Sequence, residues 1–313
     1  MGNILDGKKL ADDIKADVKK EVETLNKIGI DVGLALLLVG DNPASVQYFQ
    51  ATLGACRRSG ITAYEFRLPH AVTVNEILNV VHSINIDERI NGLLILMPLP
   101  KHINARRIIN SIVSEKDVDG LGAISVGRLA ADESTFQLFN NNQKDMMQQF
   151  RIIPSIWSFL PCTPFGVIRL LEHHNVMIKG KHAVIIGKSL AVGKPLATMF
   201  LAKEATVTVC HRETRNLGSI TRQADILCSA TGKIGLIKGT MIKKGAVVVD
   251  IGINMLKDGS ITGDVDFKSV SKKASMITPV PGGVGPVTIA MLLENTVRSA
   301  QRNELFKSPL MMT

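Results

Sequence analysis

The stretch "HAVIIGKSLAVGKPLATMFL", His182 to Leu201, decides how the rest of the chain is read. Ala183 to Ile186 is a short apolar run rich in β-branched residues, the composition of a buried parallel strand. Gly187 breaks the run. Gly193 and Pro195 then open a helix with Leu196, Met199 and Phe200 on its apolar side. Strand, glycine turn and helix together aim backbone N–H groups and a helix N-terminus at a phosphate. The turn departs from G-x-G-x-x-G, because Ser189 stands where a second glycine is usual. Taken alone, it is also compatible with a purely structural turn.

The next strand is "ATVTVCHR", Ala205 to Arg212, which ends in His211 and Arg212. A site for NAD usually has an acid about 20 positions past the glycines, to hold the ribose 2′-hydroxyl. Here the strand ends in a base, and Lys188 lies in the turn. Both suit the extra 2′-phosphate of NADP. Two further strands follow, "ADILCSA" from Ala224 and "GAVVVDIGI" from Gly245. This alternation predicts an α/β protein with an open, doubly wound parallel sheet carrying helices on both faces.

Upstream, residues 8 to 28 read as an amphipathic helix, with Leu10, Ile14, Val18, Val22 and Leu25 on one stripe and Gly29 after its end. "GLALLLVG" is a buried strand. "DNPASVQYFQATLGACRRSG" is a helix that starts near Asp41 or Asn42 and stops at Gly60. Tyr48 and Thr52 lie one turn apart on one face of it, and Arg57 and Arg58 point to another side. "AYEFRLP" is a strand, and "TVNEILNVVHSIN" a helix with Thr73 and Glu76 as a capping box. "INGLLILMPLPKHI" is a strand running into a rigid Pro-rich turn. "SEKDVDG" puts Asp117 and Asp119 in the loop that follows. Residues 130 to 158 are polar, Asn/Gln-rich and aperiodic, and read as an inserted flexible surface segment. "PCTPFGVIRLLEHHN" starts a helix, and near the end a Pro/Gly turn precedes the apolar helix of "ITPVPGGVGPVTIAMLLENTV".

The bulk numbers narrow the class. The 313 residues suggest two domains. The longest apolar run, Leu34 to Val39, is too short for a membrane span, and the N-terminus lacks the apolar core of a secretory signal. Cys56, Cys162, Cys210 and Cys228 have no C-x-x-C spacing and read as thiols of a reducing compartment. The seven histidines form no metal-ligand pattern, so no metal is expected. The net charge of +9 comes from dispersed Lys and Arg without interleaved aromatics. An anionic cofactor or carboxylate-rich substrate fits it better than nucleic acid.

At this point the motifs line up. "DGKKLA", "VGDNPAS", "PLPKHI", "EKDVDG", "PCTPFG", "GKSLAVGKP", "GAVVVDIGIN", "GDVDF" and "TPVPGGVGPVT" run through nearly the whole chain. In this order they resemble the methylenetetrahydrofolate dehydrogenase/cyclohydrolase family, called FolD in bacteria. The resemblance implies an N-terminal folate-binding domain over 1–125, completed by the C-terminal helix 286–313. An insertion would occupy 126–160 and a Rossmann-like NADP domain 161–285, with the site in the cleft between the domains. It also implies a cytoplasmic homodimer serving one-carbon metabolism and, through it, purine biosynthesis.

The family moves a hydride from the methylene carbon of 5,10-methylenetetrahydrofolate to the nicotinamide. It then hydrolyses the methenyl product to 10-formyltetrahydrofolate. Carried over by position, the resemblance gives substrate contacts at Tyr48, Leu96, Met97, Asp119, Pro281, Gly282, Gly283, Val284 and Gly285. It gives cofactor contacts at Gly187, Lys188, Ser189, Gly193, His211, Arg212 and Ile253. Asp119 would hold the pterin edge. The catalytic positions would be Tyr48, Thr52 and Asp119, but the family has Lys at position 52 and Gln at position 96, where this chain has Thr52 and Leu96. Ser125 replaces a usual Asn. A Thr hydroxyl cannot exchange protons as a Lys amine does; it can only hold a water. The resemblance therefore leaves two readings open: an NADP-dependent dehydrogenase with weakened cyclohydrolase activity, or a binding protein that acts through a partner. A Rossmann dehydrogenase for another substrate ranks behind both.

Overall fold

The computed structural model describes residues 2–131 and 158–307. The expected insertion lies, from residue 132 to 157, outside the described residues. The chain runs through β1 (Asn3–Ile4), α1 (Gly7–Lys27), β2 (Gly33–Val39), α2 (Pro43–Ser59), β3 (Thr62–Leu68), α3 (Val74–Ile86) and β4 (Gly92–Ile95). Then come α4 (Ala105–Ile109), α5 (Ala123–Ala130), α6 (Cys162–His173), β5 (His182–Ile186), α7 (Gly193–Ala202), β6 (Thr206–Cys210), α8 (Leu217–Thr221) and β7 (Ile226–Ser229). The chain closes with β8 (Val247–Asp250), β9 (Asn254–Met255), β10 (Ile261–Thr262), α9 (Phe267–Val270), β11 (Met276–Ile277) and α10 (Val284–Lys307). Its described residues divide into two compact units. One holds residues 13–128, 158–160 and 289–307; the other holds 2–12, 129–131 and 161–288.

The first unit is built on a parallel three-stranded sheet in the order β3-β2-β4. Central β2 is buried at every position, as its unbroken apolar sequence requires of a strand covered on both faces. Ala35, Leu37, Val39, Leu93 and Ile95 form a core with Ile77, Val81 and Ile84 of α3. Local chemistry sets the helix ends. The Asn42 side chain accepts from the N–H groups of Ala44 and Ser45 at the start of α2. Gly60 ends the helix in the left-handed conformation, at φ 75°, with its N–H on the Cys56 carbonyl. Thr73 and Glu76 form the expected capping box, with Thr73 N–H on Glu76 at 2.8 Å. In α10, Asn295 donates to the Val118 carbonyl at 2.9 Å, and Ser299 Oγ lies 2.7 Å from the Asn91 carbonyl oxygen.

The second unit holds a six-stranded sheet in the order β1-β11-β8-β7-β5-β6, parallel throughout. Val184, Ile186, Leu227, Val248 and Ile277 pack with Leu217 and Ile220 of α8 and Val270 of α9. The alternate residues Ala183, Ile185, Cys228 and Val249 are equally buried, so both faces of the sheet are covered. From β5 the chain steps outward to β6 and then returns to the other side of β5 as β7. That reversal is a topological switch point, and ligands of open α/β sheets bind outside the C-terminal ends of the strands there. The edge strand β1 comes from the far end of the sequence, and no periodicity marks it.

Candidate functional site

At the switch point the backbone is too tight for any side chain. Gly187 has φ 116°, and a Cβ built on it would overlap the Ala230 carbonyl after β7. A Cβ on Gly193 would in turn overlap the carbonyl oxygen of Gly187. Ser189 closes the turn, its Oγ accepting from Val192 N–H at 3.1 Å and its carbonyl from Lys194 N–H at 3.0 Å. Lys188 and Ser189 are exposed on the outer side. An exposed cation and hydroxyl over a glycine turn, at the start of ten-residue α7, make a cradle that fits a pyrophosphate.

The neighbouring strand supplies the rest of this rim. Glu213 N–H donates to His211 Nδ1 at 3.3 Å, and His211 N–H to Thr214 Oγ1 at 2.9 Å, so the turn after β6 is fixed. Arg212 stands 92% exposed and, among the described residues, pairs with its neighbour Glu213, at 2.9 Å. So exposed a pair is worth little and leaves the guanidinium available to an incoming phosphate. Ile253, just past β8, is 54% exposed. The loop residues expected at the cofactor thus gather at the C-terminal edge of one sheet.

The "PVPGGVG" turn belongs to the same unit. Gly282 has φ 106°, and its carbonyl accepts from the N–H groups of Gly7 and Lys8, both at 3.1 Å. Gly283 faces Thr278 and Pro279 so closely that a Cβ would press on both. These two glycines therefore serve backbone-to-backbone packing against the start of α1. Gly285 is open to space within 4 Å, and Val284 is buried.

The other unit carries Tyr48, Thr52, Leu96, Met97 and Asp119. Thr52 is fully buried, and its Oγ1 donates to the Tyr48 carbonyl at 2.8 Å. The hydroxyl hydrogen expected to hold a water is directed instead at the helix's own backbone. Leu96 is buried and Met97 is 42% exposed. Ser45 Oγ, in the first turn of α2, donates to the Met97 carbonyl at 2.9 Å and ties the helix to the end of β4. Asp119 is half-buried.

Asp117 is the residue whose role the sequence did not disclose. Its carboxylate accepts from Leu121 N–H at 3.1 Å, Gly122 N–H at 2.9 Å and Ser125 Oγ at 2.6 Å. A Cβ on Gly122 would press against it. Burial outweighs these hydrogen bonds and pushes its pKa up to about 6. Asp117 thus nails down the loop that carries Asp119, and Ser125, at the usual Asn position, is one of the nails. The sequence signal was present: an Asp followed by glycines and a hydroxyl at short range.

Comparison with known proteins identifies the family. The domain described as "Tetrahydrofolate dehydrogenase/cyclohydrolase, catalytic domain" matches residues 5–119, and the family's "NAD(P)-binding domain" matches 161–304. The Bifunctional protein FolD of Moorella thermoacetica is 47% identical over 299 residues, 96% of this chain and 99% of its own. The crystal structure of FolD, methylenetetrahydrofolate dehydrogenase/cyclohydrolase, from Campylobacter jejuni superposes with a TM-score of 0.86 at 46% identity, covering 97% of this chain and all of the other. The Trypanosoma brucei dehydrogenase-cyclohydrolase, crystallised with NADP and an inhibitor, gives 0.86 at 32% identity, with 97% and 98% coverage. On two matched domains and near-complete coverage at these identities, the chain belongs to the tetrahydrofolate dehydrogenase/cyclohydrolase family.

Proposed function

We propose that this protein oxidises 5,10-methylenetetrahydrofolate to 5,10-methenyltetrahydrofolate with NADP, and hydrolyses the product to 10-formyltetrahydrofolate weakly. The observation that carries the first half is the glycine cradle at the switch point, Gly187 against Ala230 with Lys188 and Ser189 exposed above it. NADP, when bound, accepts the hydride. The chain's part is to hold and orient: Lys188, Ser189 and Gly193 at the pyrophosphate, Arg212 at the 2′-phosphate, and His211 and Ile253 along the rim. Hydride transfer needs alignment more than it needs an acid or base. Tyr48, Leu96, Met97, Asp119 and the 281–285 turn are the folate contacts of this reading.

The second half rests on Thr52. Hydrolysis of the methenyl product needs proton transfer, worth about 10²–10⁴-fold where a general base is present. A buried hydroxyl already bonded to the Tyr48 carbonyl is a poor proton carrier, and Leu96 beside Met97 brings no polar group. The same two residues favour the second reading, in which the protein binds NADP and folate without turnover and acts through a partner. We carry the domain reading with it: folate binding by 1–125 and 286–313, and NADP binding by 161–285. A cytoplasmic homodimer in one-carbon metabolism that takes no nucleic acid completes the reading; four buried cysteines outside any disulfide support the reducing compartment, and dispersed charge speaks against nucleic acid.

Absorbance at the nicotinamide and methenyl bands, followed with 5,10-methylenetetrahydrofolate and NADP, tests this. Both bands should rise, with the methenyl species persisting. Rapid loss of the methenyl band would overturn weak hydrolysis. Flat traces with both ligands bound would favour the second reading.

A further inference from the structure

The second unit buries two carboxylates at the same edge of the sheet. Asp250 ends β8; its Oδ1 accepts from the N–H groups of Gly252 and Asp264, each at 3.0 Å, and its Oδ2 from Val265 N–H at 2.9 Å. Asp264 follows β10. Its Oδ2 accepts from Thr231 N–H at 2.7 Å and from the hydroxyls of Thr231 at 2.9 Å and Ser229 at 3.0 Å. Its Oδ1 accepts from Lys233 N–H and from Asn254 Nδ2, both at 3.0 Å. The side chains are 4% and 0% exposed. The fit is reciprocal: a Cβ on Gly252 would overlap the Asp264 carboxylate, and one on Gly263 would overlap that of Asp250.

All the donors named are neutral. Burying carboxylates on neutral donors is expensive, and an apolar cluster would stabilise such an edge at least as well. Burial and the neighbouring Asp264 charge push the Asp250 pKa up to about 6 despite three backbone N–H partners. What the arrangement achieves, and an apolar one would not, is to fix individual backbone N–H groups. They include the N–H groups of Thr231 and Lys233 in the loop after β7 and of Gly252 in the loop after β8, where Asp264 also takes the Asn254 side chain. The first contains Ala230, whose carbonyl fits against Gly187; the second contains Ile253.

We propose that Asp264 is a positioning residue for the cofactor rim, clamping both loops so that Ala230, Thr231 and Ile253 stand at the switch point in the conformation that receives the dinucleotide. This rests on the NADP reading above. The clamp acts on the loops, through two backbone N–H groups of the first and the Asn254 side chain of the second, so its loss should weaken cofactor affinity and leave the folate side untouched.

The test is calorimetric titration of NADP into the full-length protein and its variants. In Asp264→Asn a single amide oxygen cannot accept from both Thr231 and Lys233, so NADP affinity should fall about tenfold or more. The KM for the folate substrate should not change, and kcat at saturating NADP should stay within about threefold. Asn254→Ala removes one bond and keeps both carboxylates, so it should shift affinity in the same direction by less. A lowered melting temperature with unaltered NADP affinity in folded Asp264→Asn would overturn the proposal. If that variant does not fold, unaltered affinity in Asn254→Ala overturns it. Absence of NADP binding by the unaltered protein would instead sink the cofactor reading, and this inference with it.

Discussion

Gly7 and Gly283 meet backbone to backbone, although 275 residues separate them: a Cβ on Gly7 would overlap the Gly283 carbonyl. The contact explains the glycine of "DGKKLA", whereas Gly283 itself is held to glycine by Thr278 and Pro279. Asp6 caps the same helix start, its Oδ1 accepting from Lys8 N–H at 2.9 Å.

Gly7→Ala should therefore destabilise the protein by about 3 kcal/mol, the upper range for overpacking, because backbone rather than a mobile side chain must yield. Gly285→Ala, two positions after Gly283, meets nothing within 4 Å and should be neutral or stabilising. Urea unfolding of the two variants checks the contrast; equal effects would refute it.

Arg212→Ala should weaken NADP about tenfold to a hundredfold, the worth of charge-assisted hydrogen bonds to a phosphate, and leave NAD binding nearly unchanged. The exposed Glu213 pair competes weakly for its guanidinium. Parallel titrations with both nucleotides decide; equal losses would remove Arg212 from the site.

Asp119→Ala should reduce folate affinity and spare NADP. Ser125→Ala should do the same more weakly, since it removes one of the bonds by which Asp117 holds that loop. A folate titration in which Ser125→Ala matches the unaltered protein would show that the backbone donors alone fix the loop.

The pH dependence of Asp117 has a definite sign. Its folded-state pKa, about 6, lies above the ordinary value of 3.8. The folded state thus binds more protons than the unfolded one between these values, and unfolding near pH 5 releases a proton here. The stabilisation linked to this group is fully present below pH 3.8 and lost as pH rises through 6. Carboxyl NMR titration should show Asp117 titrating near 6 and Asp87, held down by Arg89, near 2. A midpoint near 4 for Asp117 would contradict its burial.

Thr52→Lys with Leu96→Gln should raise cyclohydrolase turnover more than either change alone, because a buried lysine without a polar neighbour is costly and the pair would act as a unit. Thr52→Lys by itself should also lower the melting temperature, since position 52 is fully enclosed. Strong cyclohydrolase activity in the unaltered protein would mean that another group moves the proton.

The sequence by itself determined the main strands and helices of both units and several of their ends. The unbroken apolar run of β2, the Asn42 cap, the Thr73–Glu76 box and the Gly60 stop act over a few residues, and each stands where its local chemistry puts it. The sequence also carried the order of the motifs, and with it the family. Only the tertiary structure decided what the motif residues do. β1 joins β11 across the length of the chain, Gly282 and Gly283 pack on the start of α1, and the Asp264 of "GDVDF" reaches back to Thr231 and Lys233. Periodicity and capping are short-range signals, whereas a buried carboxylate chooses its donors from whatever the fold brings near. That is why Thr52 could be placed on its helix face from the letters alone, while the destination of its hydroxyl hydrogen could not.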